Sequence, residues 1–136
     1  MSFTKIDHIG IAVRDLAKSN QLFSALLGQE PYKEEEVSRE MVRVSFFRTG
    51  ESKIELLQSL NDESAISRFI EKRGEGIHHV AFEVDDIRAT MADLKSKGFR
   101  LLFDEPRDGA DNKLICFLHP SSTNGVLVEI CQEKRQ

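Results

Sequence analysis

The chain has 136 residues, of which 40% are hydrophobic and 31% charged, and a formal net charge of −4. That mix suits one compact folded domain, and the acidic balance argues against a nucleic-acid surface. No apolar run approaches the roughly 18 residues of a membrane span, the opening MSFTKIDHIG lacks the basic and apolar regions of a secretory leader, and Cys116 and Cys131 fit neither a disulfide framework nor a CxxC site. The composition therefore predicts a cytoplasmic protein in a reducing compartment.

The first element is IDHIGIAV, Ile6 to Val13, a β-branched apolar strand with His8 inside it. DLAKSNQLFSALLG follows as a helix. Leu16, Leu22, Phe23, Leu26 and Leu27 lie near one stripe, Asp15 is the N-cap and Gly28 the stop. Three strands are expected near Glu30–Glu35, Met41–Arg48 and Lys53–Gln58, with Gly50 marking a hairpin. LNDESAISRFIEKRGEG reads as a short linking helix capped by Asp62, turning Ile66, Phe69 and Ile70 inward and stopping at Gly74.

The pattern then begins again. IHHVAFEV repeats the first strand with His79 in the place of His8, and DIRATMADLKSKG repeats the helix with Asp86 as cap and Gly98 as stop. Strands are expected near Arg100–Asp104, Lys113–Leu118 and Val126–Cys131, with Asn124-Gly125 as a hairpin turn. The polar loop from Asp104 to Lys113 is of the kind that covers sites on rigid scaffolds. The chain is thus an α+β protein of two tandem βαβββ modules in one domain spanning 1–136. Module one covers about 5–58, the linking helix about 59–76 and module two about 77–132.

The repeat carries chemistry. The last strand of each module, KIELLQ and VLVEICQ, places a glutamate in an apolar setting: Glu55 in the first and Glu129 in the second. Each follows its module's histidine at nearly the same interval. A lone buried carboxylate is costly unless paired or metal-bound, and a lone strand histidine is more often a satisfied core residue than a ligand. The same pair at equivalent points of two modules is what ligation explains and chance does not. Two imidazoles and two carboxylates suit a divalent transition ion. His78 alternates to the other face and His119 precedes Pro120 at a turn, so both read as structural. Cys131 shares the pleat face of Glu129 and reads as a small buried thiol. Arg43 and Ser45 alternate with Val42, Val44 and Phe46. Arg43 is a candidate substrate-binding residue, able to hold a carboxylate. An outward solvated position is the equal alternative.

DHIGIAV, KIELLQSLNDES, GEGIHHVAFEVDDI, LKSKG, DEPRDG and FLHP followed by GVLVE together resemble the vicinal oxygen chelate superfamily. Within it they are most similar to the methylmalonyl-CoA epimerase family, over roughly Ile6 to Gln132. The resemblance implies a U-shaped mixed sheet around a metal cleft, a homodimer and an acyl-CoA substrate. It puts the family's metal ligands on His8, Glu55, His79 and Glu129. The implied ion is divalent, cobalt first, with zinc, nickel or manganese as alternatives. The implied reaction is epimerisation of methylmalonyl-CoA at C2 through a metal-stabilised enolate, with Glu129 as a catalytic acid–base candidate. One departure stands out: where some epimerases carry an acid–base glutamate on the strand matching Met41–Phe47, the nearest position here is Arg43, and Glu40 is out of register. Two other functions fit the same fold. A glyoxalase I type lyase would act on a thiol hemithioacetal. A non-enzymatic binding protein would need a pocket and no metal, which the intact four-residue set disfavours.

Overall fold

The computed structural model describes residues 2–134. In chain order they form β1 (Phe3–Ala12), α1 (Leu16–Leu27), β2 (Lys33–Val37), β3 (Val42–Thr49), β4 (Ser52–Ser59), α2 (Ala65–Arg73), β5 (Gly76–Val84), α3 (Ile87–Ser96), β6 (Arg107–Gly109), β7 (Lys113–Leu118) and β8 (Val128–Glu133), with 3-10 turns at Ser38–Glu40 and Pro120–Ser122. They divide into two compact units: residues 9–78, and residues 2–8 with 79–134.

In the unit of residues 9–78, β2, β3 and β4 form an antiparallel meander, and the C-terminal half of β1 lies beside β4, where Val13 N–H donates to the Leu57 carbonyl at 3.0 Å. Helix α1 starts as the sequence predicts: the Asp15 side chain accepts from Lys18 N–H at 3.1 Å, and Gly28 closes it in the left-handed region at φ 68°. Leu16, Phe23 and Leu27 of α1 pack on Val13, Phe47 and Leu56. Helix α2 begins later than expected. Its cap is the buried Ser64, which accepts from Ser67 N–H at 3.0 Å. Asp62 lies in a preceding turn, where Asn61 Oδ1 takes the Glu63 N–H at 2.8 Å.

In the other unit, β5 pairs parallel with β8, β8 antiparallel with β7, and β7 antiparallel with β6. The N-terminal half of β1 lies beside β5, with Asp85 N–H donating to the Ser2 carbonyl at 3.2 Å. Asp86 caps α3 by accepting from Ala89 N–H at 3.1 Å. Val84, Ile87, Met91, Leu94, Cys116, Leu118 and Ile130 form the core beneath that helix. The expected strand near Arg100–Asp104 is reduced to a single bridge between Leu101 and Leu118. The strand lies instead inside the expected loop, as β6, with a hairpin whose turn puts Asp111 and Asn112 at φ 57° and 59°. Leu101 and Phe103 still bury their side chains against the core, so the apolar signal was real although the ladder was not. Gly109 allows β6 to close on β7, because a Cβ there would lie 2.7 Å from Ile115 Cγ2.

The duplication extends to a detail of helix capping. Gln58 Oε1 accepts the Leu16 N–H of α1 at 2.6 Å, and Gln132 Oε1 accepts the Ile87 N–H of α3 at 2.6 Å. Each glutamine follows its module's glutamate by an odd number of residues. The alternation of a strand therefore turns the glutamine toward the helix and the glutamate to the opposite face.

Candidate metal centre

Three of the four expected ligands belong to one unit, and that unit brings them together. Glu129 of β8 lies opposite Ala81 of β5 in the parallel register, so it shares a face with His79, two residues before Ala81. His8 reaches the same place from β1. His8 Nε2 lies 3.0 Å from His79 Nε2. Glu129 Oε1 is 3.3 Å from His79 Nε2 and 3.6 Å from His8 Nε2. All three residues are buried, and Phe117 walls the group with its ring edge-on to His79 at 5.9 Å.

These separations fit a metal. Bonds of about 2.1 Å from one ion to nitrogen or oxygen donors place adjacent donors about 3.0 Å apart at right angles and about 3.4 Å apart in a tetrahedron. The donor chemistry, neutral imidazole and carboxylate, suits a divalent transition ion. The electrostatics agree on the carboxylate. Burial pushes the Glu129 carboxyl upward, but the charge of His8 and the close His79 imidazole outweigh it and hold the group down to about 2. Near neutral pH Glu129 is thus an anion, the state a ligand needs.

Glu55 is placed in the other unit. It is 5% exposed on β4 and faces away from α1, directly opposite Phe46 on β3. Arg43 takes the outward, solvated position of the two that its place in the sequence allowed. Phe47 packs into the α1 core, so the alternate residues Ser45 and Arg43 lie on that helix side of β3. There the Arg43 guanidinium pairs with Glu34 at 2.9 Å and with Glu36 at 3.3 Å. β3 is buried on both faces over much of its length, which erases the polar alternation that would have told the faces apart. Glu40 ends a 3-10 turn, and Met41 at φ 58° turns the chain into β3.

His78 packs edge-on against Phe69 with ring centroids 5.0 Å apart. His119 Nδ1 accepts from Ser121 N–H at 3.0 Å and so caps the turn that follows it. Each contact is one of packing or turn capping. Cys131 is buried beside Glu129 on β8.

Two residues with no signal in the sequence complete the surroundings of His8. Asp7 Oδ2 lies 2.7 Å from His8 Nδ1, and Lys113 Nζ lies 3.4 Å from Asp7 Oδ1. Strand alternation turns neighbouring side chains to opposite faces, which conceals a contact between Asp7 and His8. Lys113, next to a polar turn, reads as solvated, yet it is 4% exposed. Burial opposes its charge, but Asp7 foremost among its partners raises its pKa above the usual lysine value.

The chain belongs to the glyoxalase/bleomycin resistance protein/dioxygenase superfamily, whose sequence model matches residues 7–117. It is 40% identical over 129 residues to the mitochondrial methylmalonyl-CoA epimerase of Bos taurus, which covers 94% of this chain and 74% of that protein. It is 40% identical over 130 residues to the ethylmalonyl-CoA/methylmalonyl-CoA epimerase of Cereibacter sphaeroides, covering 94% and 97%. A solved structure of a Streptomyces coelicolor methylmalonyl-CoA epimerase variant in complex with 2-nitronate-propionyl-CoA superposes with a TM-score of 0.93 at 38% identity, covering 98% of this chain and 100% of that one. Within the superfamily, then, its place is among the methylmalonyl-CoA epimerases.

Proposed function

We propose that the protein is an isomerase that epimerises methylmalonyl-CoA at C2, with His8, His79 and Glu129 holding a divalent metal ion. The observation that carries this reading is the buried convergence of those three donors within metal-bridging distance in a chain of the epimerase family. We assign Glu55 as the fourth ligand, on its equivalence to Glu129 in the repeat and its burial on the face of β4 away from the helix. Cobalt is our choice of ion, ahead of zinc, nickel and manganese.

The C2 proton is acidified by the thioester, while the neighbouring carboxylate opposes a second negative charge. When bound, a divalent ion would supply positive charge beside the oxygens on which that charge develops. The chain's own groups must move the proton. A general base works best with a pKa near the working pH, and in the metal-free protein Glu129 between two imidazoles lies far below it. For Glu129 to accept the proton, it must swing away from His8 and His79, which lets burial raise its basicity. Phe117 and the buried strand faces keep bulk water from the site. The carboxylate clamp expected of Arg43 forms no part of this reading, because Glu34 and Glu36 already hold its guanidinium on the α1 side.

The active form in this reading is a homodimer, and Leu22 and Leu26, 65% and 71% exposed on α1, are apolar surface that a partner subunit would cover. No helix among the described residues is long and apolar enough to cross a membrane. The buried thiols of Cys116 and Cys131 suit a reducing compartment, which we take to be the cytoplasm. The test is to incubate a single C2 epimer of methylmalonyl-CoA with the cobalt-loaded protein and follow the appearance of the other epimer. Conversion to a mixture of the two is expected; a persistent single epimer overturns the assignment.

A further inference from the structure

We propose that Asp7, anchored by Lys113, is a positioning residue that fixes His8 as the Nδ1–H tautomer and aims its Nε2 at His79 and Glu129. The inference deepens the proposed metal-held site and rests on it for its catalytic meaning. The contact itself stands on geometry alone.

The two oxygens of the Asp7 carboxylate have separate partners. Oδ2 is 2.7 Å from His8 Nδ1, the distance of a charge-assisted hydrogen bond. Oδ1 is 3.4 Å from Lys113 Nζ. Asp7 is 1% exposed and Lys113 4%. Lys113 Nζ also lies 3.4 Å from Glu133 and 3.9 Å from Glu83, so the ammonium that neutralises Asp7 is itself held from β8 and β5. A buried ion pair seldom stabilises a fold more than apolar residues of the same volume would. What this pair adds is direction. A carboxylate accepts hydrogen bonds only, so it draws the imidazole proton to Nδ1 and leaves the Nε2 lone pair facing the other donors. Carboxylate partners of this kind orient ligating imidazoles and raise their basicity, and their loss typically weakens metal binding about 10–100-fold.

The experiment has two readouts. In the metal-free protein above neutral pH, the ring nitrogens of His8 are followed by 15N NMR. A protonated Nδ1 and an unprotonated Nε2 are expected, and the opposite tautomer in the wild-type protein overturns the proposal without any variant. Asp7→Asn is then compared with wild type by Co2+ titration and by the same spectra. The amide can donate as well as accept, so the expected result is a mixed or reversed tautomer and a Co2+ affinity at least tenfold lower, with far-UV circular dichroism unchanged. Lys113→Met should weaken Co2+ binding in the same direction. An Asp7→Asn protein that keeps the wild-type tautomer and affinity, while His8→Ala loses Co2+, overturns the positioning role and leaves the metal site standing. A wild-type protein that binds no Co2+ overturns the metal site instead, and the tautomer measurement still decides the role of Asp7.

Discussion

A carboxylate at 5% exposure between two imidazoles has a definite acid behaviour. Glu129 titrates at about 2 in the folded metal-free protein against an ordinary value of 4.5. A depressed value of this kind contributes stability above about 4.5, and that contribution is lost as the pH falls toward about 2. The difference in urea midpoint between the metal-free wild type and Glu129→Gln should therefore shrink as the pH falls from about 4.5 toward about 2. A difference that grows on acidification would contradict it. With metal present, His8→Ala and His79→Ala should each lower Co2+ affinity by more than the roughly 10–100-fold expected for loss of an outer partner, with little change in circular dichroism; full-strength binding in both would remove them as ligands. His8, His79 and Glu129 were legible in the sequence because duplication singles them out from ordinary buried polar residues. Asp7 and Lys113 were not, since nothing repeats them and strand alternation points Asp7 the wrong way. For Arg43 the sequence left both faces open, because β3, buried on both faces, carries no alternation from which to choose a side.

The helices were the most readable elements because their caps are chemical signals. Asp15 and Asp86 both accept from the N–H three residues on, so Asp86→Ala should cost about 1 kcal/mol in equilibrium unfolding. No change would mean that Gln132, which takes the Ile87 N–H, already suffices. The packing beneath α3 weighs more. Ile130 is fully buried, and Ile130→Ala should cost about 2–5 kcal/mol through the cavity it leaves, read as a lower urea midpoint at an unchanged slope. Element edges were less readable than element cores. Asp62 and Ser64 are both plausible caps, and only the burial of Ser64 beneath the turn decides between them. Leu101 and Phe103 carry a strand-like apolar pattern, but the backbone ladder forms further on, where Gly109 can approach Ile115. That choice depends on tertiary contact and leaves no local mark.

At the scale of the whole molecule, one module written twice supplies two histidines, two glutamates and two helix-capping glutamines, and the sequence already showed the first four. The unit containing residues 2–8 and 79–134 gathers His8, His79 and Glu129, taking its first histidine from a strand that opens the other module. The compact units thus do not follow the sequence repeat, and the repeat alone could not announce it. In the function proposed above, these donors hold an ion and a proton moves at C2 of methylmalonyl-CoA. That function is tested most directly by incubating the substrate in D2O with the cobalt-loaded protein, with and without a chelator, and following deuterium at C2 by mass. Exchange far above the spontaneous rate, stopping when the metal is removed, is expected. A cobalt-loaded protein that leaves C2 unexchanged, or exchange indifferent to the chelator, would contradict it.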